Sequence, residues 1–219
     1  MLDLLPLPAE ATVLDLGAGT GKLTRVLARR YRHVIAVEPL DNMRAVLEQV
    51  VPSADARAGT AESIPLADSS VDGVFAAQAF HWFDHDSAVP EIARVLRPGG
   101  VLCVVWNGPD EERRSPLPGA FQAYWHELHS AAFARFDDAP PWREVIAAGP
   151  FGEVHEDGVP HDHVLDRAGV LENATSVSWI ASRPAAERER ILARLGELLP
   201  DEGPFAIPNR ANVLWAVRA

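Results

Sequence analysis

The sequence predicts an α/β fold on a mostly parallel sheet, and three observations carry that expectation. An apolar β-type run at residues 13–16, VLDL, enters a turn with glycines at Gly17, Gly19 and Gly21 and leaves it in a helical pattern. Short apolar runs then alternate with helical stretches as far as residue 107, as βαβ units do. An acidic residue, Glu38, closes the second run, seventeen residues after Gly21. Strand, tight glycine turn and helix open a unit that holds a nucleotide-like ligand. The glycines let a ligand approach the backbone without meeting a Cβ, and the helix start behind them offers unpaired N–H groups.

The spacing narrows the ligand. A dinucleotide fingerprint is G-x-G-x-x-G, and here the third glycine comes one residue early. A P-loop would need glycine at Leu16 and a hydroxyl at Leu23, so the Gly21-Lys22 pair is not one. Asp15, just ahead of the turn, would repel a pyrophosphate but suits a ligand bearing an ammonium and a sulfonium. Glu38, at the end of the second strand, is placed to accept hydrogen bonds from both hydroxyls of a ribose.

Residues 13–24, VLDLGAGTGKLT, resemble the first motif of class I S-adenosylmethionine (SAM)-dependent methyltransferases, nearest to the type 11 subgroup. The resemblance continues in order through AVEP (36–39), GTAESIPL (59–66), QAFHWFD (78–84), RVLRPGG (94–100) and VVWN (104–107). It implies a Rossmann-like seven-stranded sheet of order 3-2-1-4-5-7-6, with helices on both faces and the last strand antiparallel. It also implies one methyltransferase domain over residues 1–219. Within it, 11–107 is the SAM-binding core, 108–150 a lid or substrate insertion, and 151–219 the completion of the sheet. The implied reaction moves a methyl group from SAM to a small-molecule acceptor. Rival readings are a SAM-binding regulator without transferase activity and a nucleotide-linked oxidoreductase.

The elements follow in order. Residues 22–31 read as a helix and 33–37 as the second strand, stopped by Pro39. Residues 42–50 are an amphipathic helix whose apolar face is Met43, Val46, Leu47 and Val50. Residues 54–58 form a weak third strand, then a loop with Ala61 and Glu62. By resemblance, Asp15, Gly17, Ala18, Gly19 and Gly21 shape the SAM pocket and Glu38 holds the ribose. Pro39 and Met43 lie along the adenine, and Ala61 and Glu62 read its edge. Residues 71–77 are the fourth strand, running into Gln78-Ala79-Phe80-His81-Trp82-Phe83-Asp84. In an open parallel sheet the ligand crevice lies beyond the carboxyl ends of the strands flanking the switch in strand order. Gln78 and Ala79 are therefore expected at the methionine end of SAM. His81 is a candidate general base or hydrogen-bond donor to substrate, or an anchor for its own loop. Trp82 and Phe83 are expected as walls.

Residues 85–97 read as a helix stopped by Pro98-Gly99-Gly100, and 101–106 as a central fifth strand with Trp106 and Asn107 at the crevice edge. Beyond Gly108 the resemblance thins. Residues 109–118 read as a mobile loop, and 121–136 as an aromatic-rich helix. Tyr124 and Trp125 on that helix are substrate candidates, with packing on the sheet edge as the alternative. A short helix (142–148), an edge strand (153–162), two helices (167–181 and 185–199) and a last strand (211–217) complete the chain.

Composition excludes several classes. A formal net charge of −11 over 219 residues repels nucleic-acid phosphates and anionic membranes. Cys103 is the only cysteine and sits in an apolar run, as a buried core residue would. No signal peptide or long apolar segment is evident, which fits a cytoplasmic protein. One lysine among 20 basic residues suggests a bacterial source. The histidine pairs at 81/85, 126/129 and 161/163 lack the context of a metal site, so no metal is expected. The short stretch before residue 11 departs from the family and suggests either that the recorded start is too late or that the pocket is more open than its relatives'. The oligomeric state is not readable.

Overall fold

The computed structural model describes residues 5–133 and 141–219. Met1–Leu4 and the end of the expected aromatic helix, including Phe136, lie outside the described residues. The strands are β1 (Thr12–Leu16), β2 (His33–Val37), β3 (Asp55–Arg57), β4 (Val71–Ala77), β5 (Leu96–Pro109), β6 (His155–Leu165) and β7 (Phe205–Val217). They form one sheet in the order β3-β2-β1-β4-β5-β7-β6. The first five pair in parallel. The last strand runs the other way, because Gly99 and Gly100 bond to Arg218 while Asp110 bonds to Pro208. The expected order and the antiparallel final strand are both observed.

The helices are α1 (Thr24–Arg30), α2 (Asp41–Val50), α3 (His85–Val95), α4 (Gly119–Phe133), α5 (Trp142–Ala147), α6 (Arg167–Ser176), α7 (Ser178–Ala181) and α8 (Ala185–Leu198). The chain divides into two compact units. The first is Met1–Asn107, Pro140–Val159 and Ala211–Ala219; the second is Gly108–Ala139 and Pro160–Arg210. Helices α6 to α8, expected beside the completed sheet, belong to the second unit.

In the first unit β1 and β4 are central and almost wholly apolar, as strands covered on both faces must be. Leu14, Leu16, Val74 and Ala76 join α3 residues Val89 and Ile92 in one core cluster. Val13, Phe75 and Cys103 join Leu27 of α1 in another. Cys103 is a fully buried core residue, as its apolar run suggests, and burial pushes its thiol up to about 12. Between β4 and β5 the register shifts, from Val71 opposite Leu96 to Gly73 opposite Val101. The Pro98-Gly99-Gly100 segment is therefore a detour inside a long strand rather than the turn before a short one, with Gly99 at φ +78°.

The apolar face read on α2 is corrected by the structure. Only Leu47 is buried, against Ala18 and Ala36. Met43, Val46 and Val50 are 38%, 40% and 46% exposed, and Val26 of α1 is exposed as well. Small partners on β2 and the glycine turn let the helix seat through one side chain, which leaves the rest of its stripe outward.

In the second unit the apolar side of α4 packs on α6, α7 and α8 through Phe121, Val170, Ala174, Ile180, Ile191 and Leu195. The segment read as a mobile loop carries a buried carboxylate, Asp110. It accepts from Arg113 (3.0 Å), which also pairs with Asp162 (2.6 Å). Among the described residues no helix is long and apolar enough to cross a membrane.

Candidate functional site

The end of β2 holds the glycine turn by three consecutive amides. Gly17 and Ala18 both donate to the Val37 carbonyl oxygen, at 2.9 and 3.1 Å. Gly19 donates to Glu38 Oε2 at 2.8 Å. The other carboxylate oxygen of Glu38 accepts from the Leu40 amide at 3.0 Å. Glu38 is nearly buried, yet each oxygen keeps a further lone pair. Its orientation is fixed before any ligand arrives.

The glycines serve different needs. A Cβ on Gly17 would lie 2.7 Å from the Ala79 Cβ, so this glycine lets the turn close on the loop after β4. Gly19, at φ +57°, has nothing within 4 Å of such a Cβ. There the left-handed backbone requires glycine, and the space in front is open.

Asp15 is directed elsewhere. Its carboxylate is buried and accepts from the Thr24 hydroxyl at 2.6 Å, tying β1 to the start of α1. Burial raises it to about 7, against the hydrogen bonds from Thr24 and helped by the charge of Glu38.

The loop after β4 forms the opposite side. Gln78 turns the chain with φ +53°, a left-handed conformation unusual outside glycine. Its amide donates to the Val105 carbonyl (2.9 Å) and its side-chain amide to that of Asn107 (3.4 Å), which links the ends of β4 and β5. A 3₁₀ turn, Phe80–Trp82, follows. Phe80 is buried and His85 stacks on it at 4.6 Å, with His85 Nε2 3.0 Å from the Phe80 carbonyl oxygen. The loop-anchoring role weighed for His81 thus falls to His85. The His81 ring lies against Trp82 (4.9 Å) and parallel to Trp142 (6.4 Å, 9°). Among the described residues it makes no hydrogen bond, and burial lowers its pKa below the usual histidine value.

Trp142, which sequence reading passed over, joins this wall from α5. It packs edge-on against Phe80 at 5.4 Å and Trp106 at 5.0 Å. The only signal was its place at the head of a short helix, and nothing in that position specified which strand end it would meet.

The remaining candidates fall in three places. Pro39 and Met43 lie exposed beside Glu38, at the start of α2. Ala61 is buried. Glu62 Oε1 accepts from the Asp84 amide at 3.0 Å, joining the loop after β3 to the loop after β4. Burial pushes the Glu62 carboxyl up, but this bond and one from Thr60 outweigh it and the net shift is downward. Tyr124 and Trp125 are in the second unit. Trp125 stacks on Phe121 at 6.2 Å and meets Trp179 edge-on at 5.0 Å, and Tyr124 packs on the same core. Both are half-buried there. Among the described residues no group of three or more His, Cys, Asp or Glu could hold a metal ion.

Comparison with known proteins gives a consistent family. Residues 14–104 match the methyltransferase domain family model. An uncharacterized methyltransferase of Mycobacterium tuberculosis is 41% identical over 205 residues, which span 93% of this chain and 79% of the relative. The malonyl-[acyl-carrier protein] O-methyltransferase of Methylococcus capsulatus is 38% identical over 133 residues, 58% of this chain and 48% of that protein. Among solved structures, the geranyl diphosphate C-methyltransferase of Streptomyces coelicolor, bound to geranyl diphosphate and S-adenosyl-L-homocysteine, shares the fold. Its TM-score is 0.57 at 14% identity, with 100% of this chain and 76% of that one covered.

Proposed function

The chain belongs to the class I SAM-dependent methyltransferase family, and we propose that it methylates a small-molecule acceptor held at the carboxyl ends of β4 and β5. The observation that carries this reading is the Glu38 carboxylate, clamped by two backbone amides beside the open face of Gly19. The lone pair left on each of its oxygens suits the two ribose hydroxyls of SAM, and an open glycine face admits a ligand where a side chain would block it. Gly17, Ala18 and Gly21 shape the same cradle. Asp15 braces it from behind by accepting from the Thr24 hydroxyl. Pro39 and Met43 flank the adenine. Glu62 fixes the loop that presents Ala61 to the adenine edge. Gln78 and Ala79 face the methionine end.

Bound SAM supplies an already activated methyl group on a sulfonium. The chain then has to align the acceptor, keep water away and take up a proton. His81 is suited to the last task, because burial lowers its pKa and favours the neutral ring, and among the described residues no protein group bonds to it. Similarity to a malonyl-[acyl-carrier protein] O-methyltransferase supports an acceptor that is small at the reacting end. The net charge of −11 disfavours nucleic acid or an anionic membrane as partner.

Titration calorimetry with SAM, paired with transfer of labelled methyl to an acceptor panel, tests the reading. SAM binds the wild type, and Glu38→Ala weakens it ten- to a hundredfold, a net loss of about 1.4–2.8 kcal/mol for its hydrogen bonding to ribose. Unchanged affinity in Glu38→Ala removes the ribose role. SAM binding with no label in any product favours a regulator, and NADH binding without SAM binding overturns the proposal.

A further inference from the structure

We infer that the acceptor is a flat, uncharged ring compound, received on an aromatic wall of His81, Trp82, Trp106 and Trp142, with Trp142 as the residue that positions it. The inference rests on the methyl-transfer reading above and narrows it to a substrate class.

Three observations carry it. The first is convergence. The loop after β4 brings His81 and Trp82, the end of β5 brings Trp106, and α5 brings Trp142 from a distant part of the sequence. Trp142 is the hub, in contact with Phe80, His81 and Trp106 at centroid distances of 5.4, 6.4 and 5.0 Å.

The second is incomplete burial. Phe80, beneath the wall, is wholly buried, whereas Trp106 and Trp142 are only half-buried and Trp82 is 57% exposed. Indoles are seldom buried completely, so what matters is where their remaining area lies. These keep area free at the strand ends where a parallel sheet receives its ligand.

The third is charge. The carboxylates of Glu62 and Asp84 flank the loop that carries His81 and Trp82. Within this unit the arginines nearest in sequence face carboxylates: Arg94 is bonded to Glu91 and Asp68 and Arg97 to Asp72, while Arg143 sits 3.9 Å from Glu156. An anionic acceptor would meet negative ring faces and carboxylates without a counter-charge, while a neutral ring finds offset-stacking and edge contacts. The ring would carry its own hydroxyl or amine, with His81 at hand for the proton.

Equilibrium dialysis of the whole chain with 2-naphthol and 2-naphthoate tests this, since the two probes share a ring system and differ in charge. Naphthol is expected to bind at least tenfold tighter than naphthoate. Trp142→Ala lowers naphthol affinity about tenfold, and Trp82→Ala, at an exposed position that does not threaten folding, lowers it a few-fold. SAM affinity by calorimetry changes less than twofold in both variants, and circular dichroism confirms that they are folded. Equal or tighter binding of naphthoate overturns the inference, as does naphthol affinity unmoved in a folded Trp82→Ala and Trp142→Ala pair. Failure of the wild type to bind SAM would instead remove the methyl-transfer reading, and the naphthol comparison reports on the wall separately.

Discussion

The two sides of the crevice in the sheet unit are built from different materials. On the β1–β2 side, backbone groups do the positioning: three successive amides of the glycine turn meet one carbonyl and one carboxylate from the end of β2. On the β4–β5 side, rings do it, and they are gathered from three separate segments. Backbone hydrogen bonds at a strand end leave little choice of geometry, so that side suits a ligand that never changes. Side-chain packing can be altered one residue at a time without disturbing the sheet, so that side suits the ligand that differs between relatives.

The sharpest test of this contrast is a pair of alanine substitutions in one turn. Gly17→Ala combines a left-handed backbone with a Cβ 2.7 Å from Ala79, and Gly19→Ala has the backbone strain alone. Urea denaturation should show Gly17→Ala losing about 2–5 kcal/mol and Gly19→Ala about 1–2 kcal/mol. SAM affinity should fall in Gly19→Ala, whose new methyl enters the open face. Equal stability losses would mean that the face before Gly19 is filled by the protein itself.

The β1–β2 side was largely legible in the sequence. Glycine spacing and the distance to Glu38 are local or nearly local signals, and the strand order was implied by the family resemblance; Asp15, read as suited to a cationic ligand, instead holds Thr24. The rest depended on packing. Periodicity marked Met43, Val46 and Val50 as a buried face, but burial depends on what lies opposite, and the partners on β2 and the turn are small alanines. Tyr124 and Trp125 carried the composition of a substrate wall, and in the structure they pack half-buried on the core of the second unit. His81 and His85 were indistinguishable as loop anchors until the 3₁₀ turn set which ring meets the Phe80 carbonyl. Trp142 had no signal of function, because nothing near it in sequence belongs to the crevice.

Asp15 offers a test of the buried carboxylates on the first side. Its carboxyl is raised from 3.8 to about 7 by burial. The folded chain therefore keeps a proton that the unfolded chain has already lost, and stability should fall as pH rises through this window. The contribution is fully present below about pH 4 and gone above about pH 7, with a ceiling of about 4 kcal/mol for three pH units at about 1.4 kcal/mol each. Asp15→Asn retains an acceptor for Thr24 and removes the titration. Its stability between pH 5 and pH 8 should be flatter than that of the wild type in denaturant titrations. Parallel curves would show that Asp15 is ionised throughout.

On the ring side, His81 separates chemistry from packing. As a base in the proposed reaction, its replacement by Asn should cut kcat about a hundredfold with KM little changed. The wild-type rate should rise with pH through a midpoint below the usual histidine value, because burial depresses it, and that limb should vanish in the variant. A limb that persists in His81→Asn assigns the proton to another group.

The smallest effect is expected where the two sides are joined. Glu62 spans from the loop after β3 to the amide of Asp84, the residue capping the start of α3. The carboxylate is partly exposed, so the bond is weaker than a buried one, and Glu62→Ala should cost about 1 kcal/mol of global stability. Its local consequence should be clearer. The Asp84 amide loses its acceptor, and its hydrogen exchange should quicken while amides of β4 stay protected. Because His81 and Trp82 lie on the loop that Glu62 restrains, acceptor affinity should weaken a few-fold and SAM affinity should change less. A variant that loses SAM binding and keeps acceptor binding would show that Glu62 belongs to the adenine edge rather than to the strut between the two sides.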